Sequence, residues 1–130
     1  MITSNLLFSA EELAAIIQAD DLKISPFRTD GVSYGTPTWI WAVAVEGQLY
    51  VRAYHGKNSR WYQAAIAQKA GRIHAAQMVK NVAFEPVADS SLNDRINEAY
   101  KQKYSGSPYL PPMISGRANE ATIRIIPIAS

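Results

Sequence analysis

Apolar and polar positions fall into nine blocks along this chain, and the period of each block names its element. Behind Ser9, residues Leu13, Ile16 and Ile17 recur at helical spacing. Ser9 can cap that helix, Glu12 stands three residues on as its capping-box partner, and Phe8 with Leu13 suits a hydrophobic staple. Asp20-Asp21 end the pattern. A short strand is predicted over 23–27, closed by Asp30-Gly31 and Gly35. Pro37 then opens the strongest strand, 38–45, and Glu46-Gly47 turns it into another over 48–54, as an antiparallel hairpin. A helix follows over 59–69, in which Trp61 and Ala65, and Tyr62 and Ile66, keep the four-residue spacing. Ala70-Gly71 stops it. Two strands over 72–76 and 79–87, a helix over 90–104 and a last strand over 122–126 complete the order. The Pro-rich stretch 106–113 reads as a stiff loop, neither helix nor central strand.

The order α-β-β-β-α-β-β-α-β predicts one α+β domain over 1–130 with a mainly antiparallel sheet of six strands and about three helices. An N-terminal helix lies within 1–20, and a core spans 21–127. With 130 residues and 48% hydrophobic positions, the chain can bury roughly two-thirds of its unfolded surface. The absence of Cys removes disulfides, thiol catalysis and thiolate metal sites. The longest apolar run, 39–45, is a strand's length and too short for a membrane span. No secretory signal is read, since acids precede the first base, Lys23. A cytoplasmic protein without a membrane partner is the expectation.

The formal net charge of +2 is unevenly spread. Residues 1–46 carry six acids and two bases. Residues 47–84 carry Arg52, Lys57, Arg60, Lys69, Arg72, Lys80, both histidines and no acid. Such a stretch suits either an anionic ligand or a solvated basic face that pairs with the acidic N-terminal third. The modest total argues against a nucleic-acid partner.

Most chemistries lack their residues. His55 and His74 stand nineteen apart with no acid between them, so no metal site is expected. There is no Gly-x-Ser-x-Gly elbow and no marked carboxylate pair. Gly56-Lys57-Asn58-Ser59 faintly resembles a Walker loop, but Val51 stands where that motif needs glycine.

The informative segment is the strand, loop and helix over 48–69. Strand alternation puts Tyr50, Arg52 and Tyr54 on one face and Leu49, Val51 and Ala53 on the other, core-facing side. An arginine between two tyrosines can seat a flat anion. Gly56 permits close backbone approach, Lys57 supplies a charge, and Ser59 opens a helix whose N-terminus favours anions. The expectation is one pocket faced by Arg52, Lys57 and Ser59, with Tyr54 as its wall. Trp39 and Trp41 share a face with Val43 and Val45, as core, dimer interface or a stacking surface for a cofactor.

The run Tyr50-Val-Arg-Ala-Tyr-His-Gly-Lys-Asn-Ser-Arg-Trp-Tyr62, then Gly71-Arg-Ile-His-Ala75 and Ala99-Tyr-Lys-Gln-Lys-Tyr104, resembles a family of short bacterial proteins of unknown function. These in turn resemble the flavin-binding split β-barrel superfamily, in particular its deazaflavin-dependent nitroreductase branch. The likeness covers roughly 20–127, with Ile125-Ile126-Pro127 similar to the closing strand. It implies a split barrel and an FMN or deazaflavin cofactor contacted by Arg52, Tyr54, Gly56 and Lys57; with Ser59 and Trp61 these are the expected cofactor-binding residues. It also implies a homodimer with the site at the seam, the loop 108–113 lying near the partner's site. Oxidoreductase chemistry would then be carried by the cofactor, and no side chain is assigned a catalytic role. Two departures stand out. Arg28-Thr29-Asp30-Gly31 replaces a basic turn, placing an acid that would repel a cofactor phosphate, and Ala64-Ala65 replaces an Asn-Leu pair. The competing reading is a cofactor-free small-molecule-binding or structural dimeric module that kept the barrel.

Overall fold

The computed structural model describes residues 8–128; the first seven and last two positions of the single domain read over 1–130 lie outside the described residues. Helix α1, Ala10–Ala19, begins as its sequence dictates. Ser9 Oγ accepts from the Glu12 amide at 3.1 Å, and the Glu12 carboxylate accepts from the Ser9 amide at 3.1 Å. Asp20 ends the helix in the left-handed conformation. Phe8 and Leu13 are both buried, as a staple requires.

Among the described residues seven strands, rather than six, form one antiparallel sheet. They are β1 (Lys23–Pro26), β2 (Thr38–Trp39), β3 (Ala42–Val45), β4 (Gln48–Arg52), β5 (Ala70–Ala75), β6 (Met78–Pro86) and β7 (Thr122–Pro127), in the order β2-β1-β5-β6-β7-β4-β3. The extra strand arises because the run 38–45 is not continuous. Its first two residues pair with β1 and its last four with β4. Those are opposite edges of the sheet, yet only Ile40 and Trp41 connect them. Three peptide steps reach at most about 11 Å, roughly two strand spacings. The sheet must therefore curl into a half-barrel of split-barrel type, and its split lies at Ile40-Trp41.

Two tight hairpins set the register. β3 and β4 join through Glu46-Gly47 (φ 53° and 79°), and β5 and β6 through Ala76-Gln77 (φ 51° and 64°), one residue before the predicted turn. Positive φ at both corners gives these turns the twist a two-residue hairpin needs. Gly71, placed by sequence at the end of a helix, lies inside β5. A Cβ there would stand 2.4 Å from the Ser25 carbonyl oxygen and 2.6 Å from Pro26 Cα, so only glycine lets β1 come this close.

Among the described residues five α-helices are present instead of about three. Helix α2 is Arg60–Gln68 and α3 is Ser90–Lys103, the latter capped by Asp89. The Pro-rich stretch is not wholly loop: Leu110–Met113 forms the short helix α4, with prolines in the first turn, where a missing N–H costs nothing. Gly116–Asn119 forms α5. Apolar side chains fill both sides of the curled sheet. Inside lie Ile24, Leu49, Val51, Ile73, Val82, Ile123 and Ile125, with Ile16 of α1 and Tyr62 of α2. Outside, α3 lays Leu92, Ile96, Tyr100 and Tyr104 over Val43 and Tyr50. The alternation expected of 48–54 holds, but the face assigned to Tyr50 and Arg52 is covered by a helix.

Candidate functional site

A cleft of about 740 Å³ opens at the split. Thr38, Trp39, Ile40 and Trp41 form one wall, from the segment that crosses between the sheet edges. Tyr54, His55, Ser59, Arg60 and Trp61 form the second, from the end of β4 and the start of α2. Tyr109 and Met113 close it beside α4, and Arg52 lies at its back. The walls are mostly aromatic. His55 meets Tyr54 edge-on at 5.0 Å, and Tyr54 meets Tyr109 edge-on at 6.3 Å. Trp39 and Tyr109 stand at the mouth, 55% and 60% exposed.

Arg52 is 1% exposed, and its five N–H donors meet five acceptors. Nε donates to Thr122 Oγ1 at 2.8 Å; Nη1 to Asn97 Oδ1 and, at 3.1 Å, to the Met113 carbonyl; Nη2 to the Asn93 carbonyl at 3.1 Å and to Asn93 Oδ1 at 2.9 Å. Its guanidinium also lies 5.4 Å from the Tyr100 ring centroid. Every one of these acceptors is neutral. Burial lowers the Arg52 pKa to about 10, still well above neutrality, so a buried positive charge stands behind the cleft with its hydrogen bonds used up. Arg52 thus ties β4 to β7, α3 and α4, and offers a ligand its field rather than a donor.

The other predicted residues separate. Tyr54, Ser59 and Trp61 line the cleft with Arg52, whereas Lys57 does not. It faces a second depression of about 460 Å³, with Asp94 and Glu120 on its rim. The single pocket expected to unite Arg52, Lys57 and Ser59 is corrected in that respect: a 3-10 turn, Gly56–Asn58, rotates Lys57 away. Gly56 is buried under Arg117, whose Cγ would lie 2.4 Å from an added Cβ, so its bareness accommodates a side chain of the same chain. The six central bases also disperse. Lys80 pairs with Glu12, Arg72 covers the Tyr34 ring at 3.8 Å, and Lys69 ends α2. Only Arg52 and Arg60 among them border the cleft. Asp30 is turned to its own loop, accepting from the amides of Val32 and Ser33 at 2.9 Å, and does not border the cleft.

The start of α2 differs chemically from those of α1, α3 and α5. Ser9, Asp89 and Ser115 cap theirs with side-chain oxygens, whereas Ser59 makes no side-chain cap bond. Its hydroxyl and the first-turn N–H groups stand beside Arg60, where a partial positive charge accumulates. Sequence reasoning missed Thr38, Arg60, Tyr109 and Met113 as cleft residues, because they come from three separate segments. It also missed Asn93, Asn97 and Thr122, for which only the burial of Arg52 signals a need for acceptors. Among the described residues no cluster of three or more His, Asp or Glu side chains could hold a metal ion, and no helix is long and apolar enough to cross a membrane.

A family model described as an uncharacterized protein conserved in bacteria (DUF2255) matches residues 12–125. No curated protein matches the chain. Solved structures do. A candidate pyridoxamine 5'-phosphate oxidase from Listeria innocua superposes with a TM-score of 0.61 at 13% identity, covering 91% of this chain and 90% of that one. A candidate 5-nitroimidazole antibiotic resistance protein from Bacteroides thetaiotaomicron gives a TM-score of 0.61 at 12% identity, over 96% and 82% of the two chains. A conserved hypothetical protein of Mycobacterium tuberculosis gives 0.60 at 14%, over 97% and 83%. At such identities these likenesses establish the fold, of split-barrel type.

Proposed function

The chain belongs to the DUF2255 family, and from that premise we propose that it binds a planar, phosphate-bearing cofactor of the flavin or deazaflavin type in the cleft at the barrel's split. One observation carries the reading: an aromatic-walled cleft of about 740 Å³ that ends on an uncapped helix start. The volume and flat walls suit a tricyclic ring. Ser59, Arg60 and the first-turn amides of α2 suit a phosphate, and the Arg52 charge behind the wall favours electron-rich rings. The fold's likeness to a candidate pyridoxamine 5'-phosphate oxidase and a candidate nitroimidazole resistance protein supports the same class. When bound, such a group supplies hydride or single-electron chemistry, while the chain supplies binding, orientation and charge. The exposed Trp39 and Tyr109 support a homodimer that meets at the cleft mouth.

The test is a fluorescence titration with FMN, riboflavin and a deazaflavin. FMN or the deazaflavin is expected to bind at micromolar concentration. Arg60→Glu should weaken FMN about tenfold or more and leave riboflavin, which lacks the phosphate, nearly unchanged. Absence of binding by FMN and by the deazaflavin overturns the proposal.

A further inference from the structure

Trp41 forms part of the cleft wall, and its indole lies flat on the ring of Tyr104, with centroids 3.8 Å apart and planes within 4°. The Tyr104 hydroxyl donates to Asp20 Oδ1 at 2.6 Å. Lys103 Nζ stands 3.2 Å from the same carboxylate oxygen. Behind this pair is Tyr100, fully buried, its ring 6.0 Å from Tyr104 and its hydroxyl donating to the Trp41 carbonyl at 3.1 Å. Indole and phenol are the side chains most readily oxidised by one electron. Phenol gives up that electron easily only if its proton has somewhere to go, because the phenol radical cation is a strong acid. Packing alone favours offset or edge-on rings and asks for no carboxylate at the hydroxyl.

We propose that Trp41, Tyr104 and Asp20 form a proton-coupled relay that delivers one electron to a one-electron oxidant in the cleft. The oxidant takes an electron from the Trp41 indole and leaves its radical cation. Tyr104 returns one electron to Trp41 while its phenolic proton crosses to Asp20 Oδ1. The products are a restored indole, a neutral tyrosyl radical and a neutral Asp20 carboxyl. Under the reading above, the oxidant is an isoalloxazine-type ring in an excited or radical state; the relay rests on that reading only for the oxidant's identity. Burial and the Asp20 carboxylate raise the Tyr104 pKa far above its ordinary value, so at neutral pH the phenol keeps its proton until the electron leaves. Lys103, which also donates to the Ala42 carbonyl at 2.8 Å, fixes the carboxylate beside the phenol.

The test uses no cofactor. Trp39→Phe and Trp61→Phe together leave Trp41 as the sole indole, and azide radicals from pulse radiolysis oxidise it selectively. The Trp41 radical band should decay as a tyrosyl band grows, at a rate independent of protein concentration and slower in heavy water. Tyr104→Phe, with folding checked by circular dichroism, should remove that growth. Asp20→Asn should slow it on the order of tenfold or more, as loss of a positioned base does. Unaltered growth in Tyr104→Phe, an unaltered rate in Asp20→Asn, or no solvent isotope effect in the double-Phe protein each overturns the relay. The isotope measurement needs neither of the relay variants to fold. Because no flavin is present, failure to bind one leaves this result untouched.

Discussion

At the residue scale, Arg52 shows how burial reassigns a side chain. A charged group in a strand flanked by tyrosines reads as a ligand contact, yet its guanidinium meets five neutral acceptors of this chain. Carrying a charge into the interior is tolerable only with such saturation. Lysine in its place would keep the charge but offer three donors in a different geometry. Arg52→Lys is therefore expected to lower stability by about 3 kcal/mol, read as a fall in the urea midpoint with little change in slope. An unchanged midpoint would mean that the cage contributes nothing. Gly71 is the complementary case, where the absent side chain is what the contact between β1 and β5 requires.

At the scale of elements, local rules and tertiary demands agree at α1 and diverge at the β5–β6 turn. Ser9, Glu12 and Phe8 sit where a capped, stapled helix needs them, and α1 starts accordingly. The second hairpin turns on Ala76 and Gln77, both at positive φ without being glycine, a conformation that costs L-residues free energy. It persists because β5 and β6 pair over six registers and the Ala76 amide donates to Asp21 Oδ1 at 2.9 Å. Ala76→Asn with Gln77→Gly suits the turn type and keeps that amide. The double variant should gain about 1 kcal/mol, seen as a higher melting temperature. A lower melting temperature would show that the turn is not strained. The break of 38–45 into β2 and β3 is the opposite kind of event, in which no local signal marks the point where a strand changes edges.

At the scale of the whole molecule, curling of the sheet brings residues from three distant segments to one cleft and leaves two large aromatic side chains at its mouth. Trp39 and Tyr109 are more than half exposed, and aromatic residues are enriched where proteins meet. The proposed homodimer would cover them. Light scattering at tens of micromolar should give twice the mass of one chain, and Trp39→Glu should shift it toward one. A particle of single-chain mass for the unaltered protein would remove the proposal.

Periodicity, caps and turn residues are local, and they determined what they act on. The nine predicted blocks coincide with α1, β1, β4, α2, β5, β6, α3, β7 and, jointly, β2 with β3. Alternation along 48–54 assigned Leu49, Val51 and Ala53 to the inner core. It also put Tyr54 in a candidate site, to which the helix start added Ser59 and the family resemblance Trp61, and all three border the cleft. Closure of the barrel, the helix built from the Pro-rich stretch, the covering of Tyr50 and Arg52 by α3, and the turning away of Lys57 were decided by tertiary structure. The physical reason is distance along the chain. Arg52 meets its acceptors 41 to 70 residues away, and Tyr104 meets Asp20 across 84. Such pairs are selected by how sheets curl and helices dock, which no window of neighbouring residues encodes.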